Sequence, residues 1–165
     1  MSKGTGQPRL LRAGDGEVRG AIEGVRDRFM IDARDTESRF SMLQHLMPAK
    51  ALAAPWHLHT REDEYSFVLE GRMGALLGED EVFAEAGDLV FKPRGQWHTF
   101  WNAGDKPAVI LEIISPGGLE DAFRAMEELG DEVTPEALDK IIRPYGAEAD
   151  FERTMAIIEQ YGLTF

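Results

Sequence analysis

The sequence predicts an all-β sandwich or barrel that carries helices at its C-terminal end. Two observations predict it. From residue 39 to about 115, short β-rich runs recur between turn signals at Pro48, Gly71, Gly78-Glu79-Asp80, Gly87, Pro93-Arg94-Gly95 and Asn102-Ala103-Gly104-Asp105, a rhythm typical of sandwiches and barrels. After Ser115-Pro116-Gly117-Gly118 the hydrophobic period becomes helical. A chain of 165 residues fits one domain with appended elements. The expected division is an N-terminal arm over residues 1–38, the barrel over 39–118 and a helical extension over 119–165.

In order, the arm is charged and glycine-containing, with one apolar patch at Arg28-Phe29-Met30-Ile31, and should supply one or two strands. The barrel strands are expected at Arg39–Leu46, Trp56–Leu58, Tyr65–Glu70, Arg72–Leu77, Glu81–Ala84, Asp88–Lys92, Trp97–Asn102 and Ala108–Ile114. In the extension, Phe123, Met126 and Leu129 share a helical face. Thr134-Pro135-Glu136 reads as a helix start, with threonine as cap and proline in the first turn. A last helix carries Phe151, Met155 and Ile158, with Gly162 as its stop. The extension has too few apolar residues for a core of its own and should pack on the barrel.

Composition narrows the function. The net charge is −12, from 30 acidic and 18 basic residues, and such a surface repels phosphate backbones, so no nucleic-acid partner is expected. No run of eighteen apolar residues occurs, so no membrane span is expected, and the polar start Met1–Leu10 lacks a signal-peptide core. A cytoplasmic location is the expectation. With no cysteine, histidine and carboxylate are the only strong ligands available, a set suited to Fe, Mn, Ni, Co, Cu or Zn.

Three of the four histidines fall in two short runs: His57-Leu58-His59-Thr60-Arg61-Glu62-Asp63-Glu64, and Gly87 to His98. On a strand, His57 and His59 point to one face about 7 Å apart. Glu64 opens the next strand and is expected to return beside them through a hairpin, while Glu62 and Asp63 are rival carboxylates expected to face solvent from the turn. His98 follows a Pro/Gly turn, with Phe100 and Asn102 on its face. Three imidazoles and one carboxylate make a ligand set for one divalent transition metal, with room left for water or substrate. His45 lies outside both runs and is expected to be a satisfied core histidine.

The two runs resemble the paired motifs of the cupin superfamily. The first reads His-x-His, four residues, Glu, six residues, Gly71. The second reads Gly87, five residues, Pro93-x-Gly95, two residues, His98, three residues, Asn102. The short spacing from Gly71 to Gly87 is that of small single-domain cupins. Position 51, where the first motif opens on glycine, is Ala51; that glycine serves a turn. The resemblance implies a double-stranded β-helix, a jelly-roll-like barrel, with His57, His59, Glu64 and His98 as metal ligands. Phe91-Lys92-Pro93-Arg94-Gly95 and the Ser115–Glu120 junction are similar to the quercetin 2,3-dioxygenase-like cupins. That implies a dioxygenase for a small enolisable or aromatic, flavonol-like substrate, with O2 as co-substrate and Glu64 as both ligand and catalytic base. Isomerase, epimerase or lyase chemistry and a non-catalytic binding role use the same ligands. The resemblance also implies a homodimer formed through sheet edges and the N-terminal arm.

The inward face beside the metal is expected to offer Ser66, Val68 and Phe100, with Phe40 or Met42, an apolar lining suited to a planar ligand. Lys92 and Arg94 are expected to face solvent, and the last expected strand adds a carboxylate, Glu112, whose facing the sequence leaves open.

Overall fold

Alternation of apolar and polar side chains dictates two sheets packed face to face, because each strand buries only one side. A computed structural model describes residues 6–130 and 133–165 and shows this arrangement. The strands are β1 (Glu17–Arg19), β2 (Arg26–Ile31), β3 (Ser41–Met47), β4 (Trp56–His59), β5 (Asp63–Glu70), β6 (Arg72–Leu77), β7 (Asp80–Glu85), β8 (Leu89–Lys92), β9 (His98–Asn102), β10 (Ala108–Ser115) and β11 (Ala147–Asp150). The helices are α1 (Glu120–Glu127), α2 (Pro135–Ile142) and α3 (Phe151–Tyr161). One sheet has six strands in the order β1-β2-β3-β10-β5-β8, the other five in the order β11-β4-β9-β6-β7. The named strand pairs are antiparallel. This is a double-stranded β-helix with a C-terminal helical extension. The arm strands β1 and β2 extend the chain's own six-stranded sheet beside β3.

Between the sheets, Met47, Val68, Met73, Val90, Phe100 and Ile110 form the main apolar core. Two smaller clusters tie the extension to the barrel. Leu119 and Ala122 of the α1 region join Phe29, Leu43 and Ile114. Ile157 of α3 joins Trp56 and Trp101, and the Tyr161 ring lies 4.5 Å from that of Trp101. On the other side Trp101 lies over Gly74, where a Cβ would come within 2.4 Å of the indole, so a side chain there is excluded by volume. The helix signals act as the sequence implies: Thr134 Oγ1 accepts from the Ala137 N–H, and Gly162 stops α3 in the left-handed region at φ 62°.

Two features differ from expectation. β11 is a strand within the extension, and its Ala-Glu-Ala-Asp sequence has little strand propensity of its own. Pairing with the edge of β4 makes it one. On β3 the buried side chains are Ser41, Leu43, His45 and Met47. Met42 therefore points to the outer face, and Phe40 precedes the strand, where its carbonyl accepts from Thr36 Oγ1. Neither belongs to the barrel lining expected of it.

The α1 contact carries a pH dependence. Glu127 is half-buried opposite Asp27; burial, then the Asp27 charge, pushes its carboxyl up to about 8. A raised carboxyl makes the folded state hold its proton more tightly than the unfolded chain does. Stability from this group is therefore lost as pH rises from about 4.5 to about 8. Thermal melts should show the wild type losing stability across that window, and Glu127→Gln should flatten the loss.

Candidate metal centre

β4 and β9 run side by side with His57 opposite His98, so the five-stranded sheet presents His57, His59 and His98 together. Glu64 comes from the other sheet. The expected hairpin return is replaced by a crossing: the Thr60–Glu62 turn carries the chain between sheets, and Glu64 pairs with Lys92 and Ile114 in the six-stranded one. The carboxylate thus faces the imidazoles across the barrel. One donor atom from each of the four residues lies within 4.8 Å of the others, and all four are buried.

The donor atoms converge on one point. His57 Nδ1 lies 2.6 Å from the Pro55 carbonyl and His98 Nδ1 lies 2.9 Å from that of Gln96. A carbonyl only accepts, so each Nδ1 carries a hydrogen and each ring turns its Nε2 inward. His57 Nε2 meets His59 Nε2 at 3.0 Å, and His98 Nε2 meets Glu64 Oε2 at 3.0 Å. That is the spacing of two donors sharing one ion at about 2.1 Å from each. Burial, then the charges of His98 and His59, holds His57 well below its ordinary value and so in the neutral form a ligand needs. The residues present therefore fit a divalent transition metal, which these four could hold.

Beneath the site lies a charged array where an apolar lining was expected. Lys92, placed at the surface by the sequence reading, is 1% exposed. Its Nζ sits 3.1 Å from both Glu64 Oε2 and Glu112 Oε1 and 4.3 Å over the Phe100 ring. Inward alternation from Val90 puts it there. Burial works to discharge the ammonium, but Glu112 and Glu64 outweigh it and raise Lys92 above the usual lysine value. Burial likewise works to raise Glu64; the Lys92 ammonium and the neighbouring imidazoles win and hold it well below the usual carboxylate range. Glu112, whose facing the sequence leaves open, is fully buried because it alternates inward with Ile110 and Ile114. Two buried carboxylates against one ammonium leave an excess negative charge that a bound cation would offset.

The other candidates separate. Ser66, Val68 and Phe100 all point inward and are buried, but the Ser66 hydroxyl is committed to Glu112 Oε2 at 2.7 Å. Arg94 is exposed and grips Asp63 at 2.7 Å, whose carboxyl it lowers to about 2. Glu62, expected in solvent, is buried. His45 is a satisfied core residue, bonded through Nδ1 to Asp27 at 2.7 Å. Asn102 works as a brace: its amide reaches the carbonyls of Met47, Pro48 and Lys106.

Comparison with known families agrees with this geometry. Residues 43–114 match the model of the Cupin domain. That segment runs from β3 to β10 and is less than half of the chain. Among curated proteins, the tetracenomycin polyketide synthase protein TcmJ of Streptomyces glaucescens is 28% identical over 94 residues. The match covers 57% of this chain and 63% of that protein, so the chain spans less than two thirds of its relative. Among solved structures, a predicted oxalate decarboxylase from Thermotoga maritima superposes with a TM-score of 0.59 at 19% identity, over 66% of this chain and 99% of that one. The polyketide cyclase RemF from Streptomyces resistomycificus superposes at 0.56 with 24% identity, over 66% of this chain and 80% of that one. These likenesses show the cupin fold. No described helix is long and apolar enough to cross a membrane.

Proposed function

We propose that this cupin is a metal-dependent dioxygenase acting on a small enolisable or aromatic compound. The observation that carries the reading is the convergence of three imidazoles and Glu64 on one buried point. Bound there, a divalent ion would supply Lewis acidity and, if redox-active, electrons for O2 chemistry. Glu64, held ionised by Lys92, supplies charge and a donor oxygen to the ion. The array of Lys92 and Glu112 balances the site so that a divalent ion leaves it one positive charge, suited to a mono-anionic oxygen ligand such as an enolate.

A second reading is isomerisation or ring closure without O2. The likeness to proteins named for polyketide synthesis and cyclisation favours it, since polyketides are rich in enolisable carbonyls. One experiment divides the two: anaerobic purification with metal analysis, then O2 uptake and product mass on flavonols and 1,3-diketones. Metal-dependent O2 uptake with gain of two oxygen atoms supports the dioxygenase. Conversion with unchanged mass or loss of water, and no O2 uptake, supports the second reading.

The proposed partner is a second copy of the chain. The outer face of the six-stranded sheet carries Phe67, Leu69, Leu89 and Phe91, each at least 37% exposed, with Tyr65 stacked on Phe91. At about 4.8 Å between strands and 3.4 Å per residue, this face spans several hundred Å2, at the upper end of what a monomer leaves bare. Copies with a net charge of −12 repel, and these five residues offer an uncharged place to meet. Sedimentation should give twice the 18.4 kDa chain mass, and Phe67→Lys/Phe91→Glu should give the monomer.

A further inference from the structure

We infer that Glu62 is a positioning residue for the metal centre, anchoring the imidazole of His59. The inference rests on the reading that His57, His59, Glu64 and His98 hold one metal ion.

A ligating imidazole must be aimed, and the group bonded to its other nitrogen aims it. For His57 and His98 that group is a backbone carbonyl, of Pro55 and Gln96. His59 has no such carbonyl, and its Nδ1 is buried without a hydrogen-bond partner. The atom that faces it is Glu62 Oε2, 4.0 Å away, and this oxygen is likewise buried and unpartnered. Two complementary orphans, a ring nitrogen and a carboxylate oxygen, look at each other across a gap that a shift of about 1 Å closes to hydrogen-bond length. Buried unpartnered polar atoms are costly, so the pair has reason to close once Nε2 is committed to an ion and Nδ1 must carry the proton.

The turn bearing Glu62 is held for this purpose from outside the barrel. Thr60 N–H and Oγ1 both donate to the Gly146 carbonyl, at 2.9 and 2.8 Å, and Arg61 Nη1 donates to the Pro144 carbonyl at 3.1 Å. Gly146 sits at φ 77°, and a Cβ there would press on Thr60 Oγ1 at 2.5 Å. The segment before β11 thus fixes the turn, the turn presents Glu62, and Glu62 presents His59. His59 O also accepts from the Gly95 N–H at 2.7 Å, so the backbone under the ring is already pinned and only the ring's rotation is left to Glu62.

The test is Zn2+ and Mn2+ affinity by chelator competition on the full chain, with the metal-free melting temperature measured alongside. Glu62→Ala should bind about 10–100-fold more weakly while the metal-free protein melts as the wild type does. Glu62→Gln, whose amide oxygen still accepts from Nδ1–H, should stay close to wild type. In the Zn2+-loaded protein, long-range 1H–15N spectra should show a protected Nδ1 proton on His59 in wild type and Glu62→Gln, lost in Glu62→Ala. Unchanged affinity in Glu62→Ala overturns the inference, and so does Glu62→Gln as weak as Glu62→Ala, which would leave only a charge effect. A wild-type protein that binds neither metal overturns the underlying reading instead.

Discussion

His98→Ala should leave the purified protein with little bound metal and abolish the rise in melting temperature that added metal gives the wild type. The reasoning is linkage: an ion that binds only the folded state stabilises it, by about 2.7 kcal/mol at a hundred times its dissociation constant. His98 is the ligand to remove because its Nε2 meets Glu64 at 3.0 Å, while its ring is packed at 4.3 Å from that of His57. Losing it takes away a donor and slackens the rest. Metal content by elemental analysis and melts with and without metal check this. A His98→Ala protein that keeps its full metal content would sink the ligand assignment.

Lys92→Met should be the most destabilising single change in the barrel, by about 3–5 kcal/mol in the metal-free protein. Removing one partner of a buried ion pair leaves charge without compensation, and here two carboxylates, Glu64 and Glu112, are stranded 3.1 Å from the lost ammonium. Lys92→Met/Glu112→Gln should recover a large part of the loss, because only Glu64 then remains uncompensated. Metal should rescue the double variant further, since a cation replaces the ammonium beside Glu64. Urea unfolding of the three proteins, with and without metal, reads all of this directly. Equal stability of Lys92→Met and wild type would show that the array is not a charge-balanced unit.

The strands of the barrel were legible because turn residues bracket them and because alternation is strict on β5, where Glu64, Ser66 and Val68 are buried while Phe67 and Leu69 are exposed. The candidate site was legible for a different reason: histidine is rare in this chain, and its spacing places ligands on one strand face. Lys92 was misjudged by residue type, and the facing of Glu112 was left open. Their positions alternate with Val90 and with Ile110, but a charge beside a proline turn, or in a strand apolar on both faces, suggests solvent. Phe40 and Met42 were misplaced by the same ambiguity: β3 is apolar on both sides, and only the inward position of His45 fixes its parity. Glu62 and β11 were not legible, since each depends on contacts with distant chain: the turn held by Gly146, and the edge of β4.

That edge has a kinetic consequence. His57 pairs with Ala149 across roughly ninety residues of chain, and contacts so distant in sequence form slowly because a long loop must close first. Until β11 arrives, the strand that carries two of the histidines is an unpaired edge, open to the strands of other nascent chains. Conditions that delay its arrival favour aggregation, and an ion that ties β4 to β9 and β5 early would shorten that exposure.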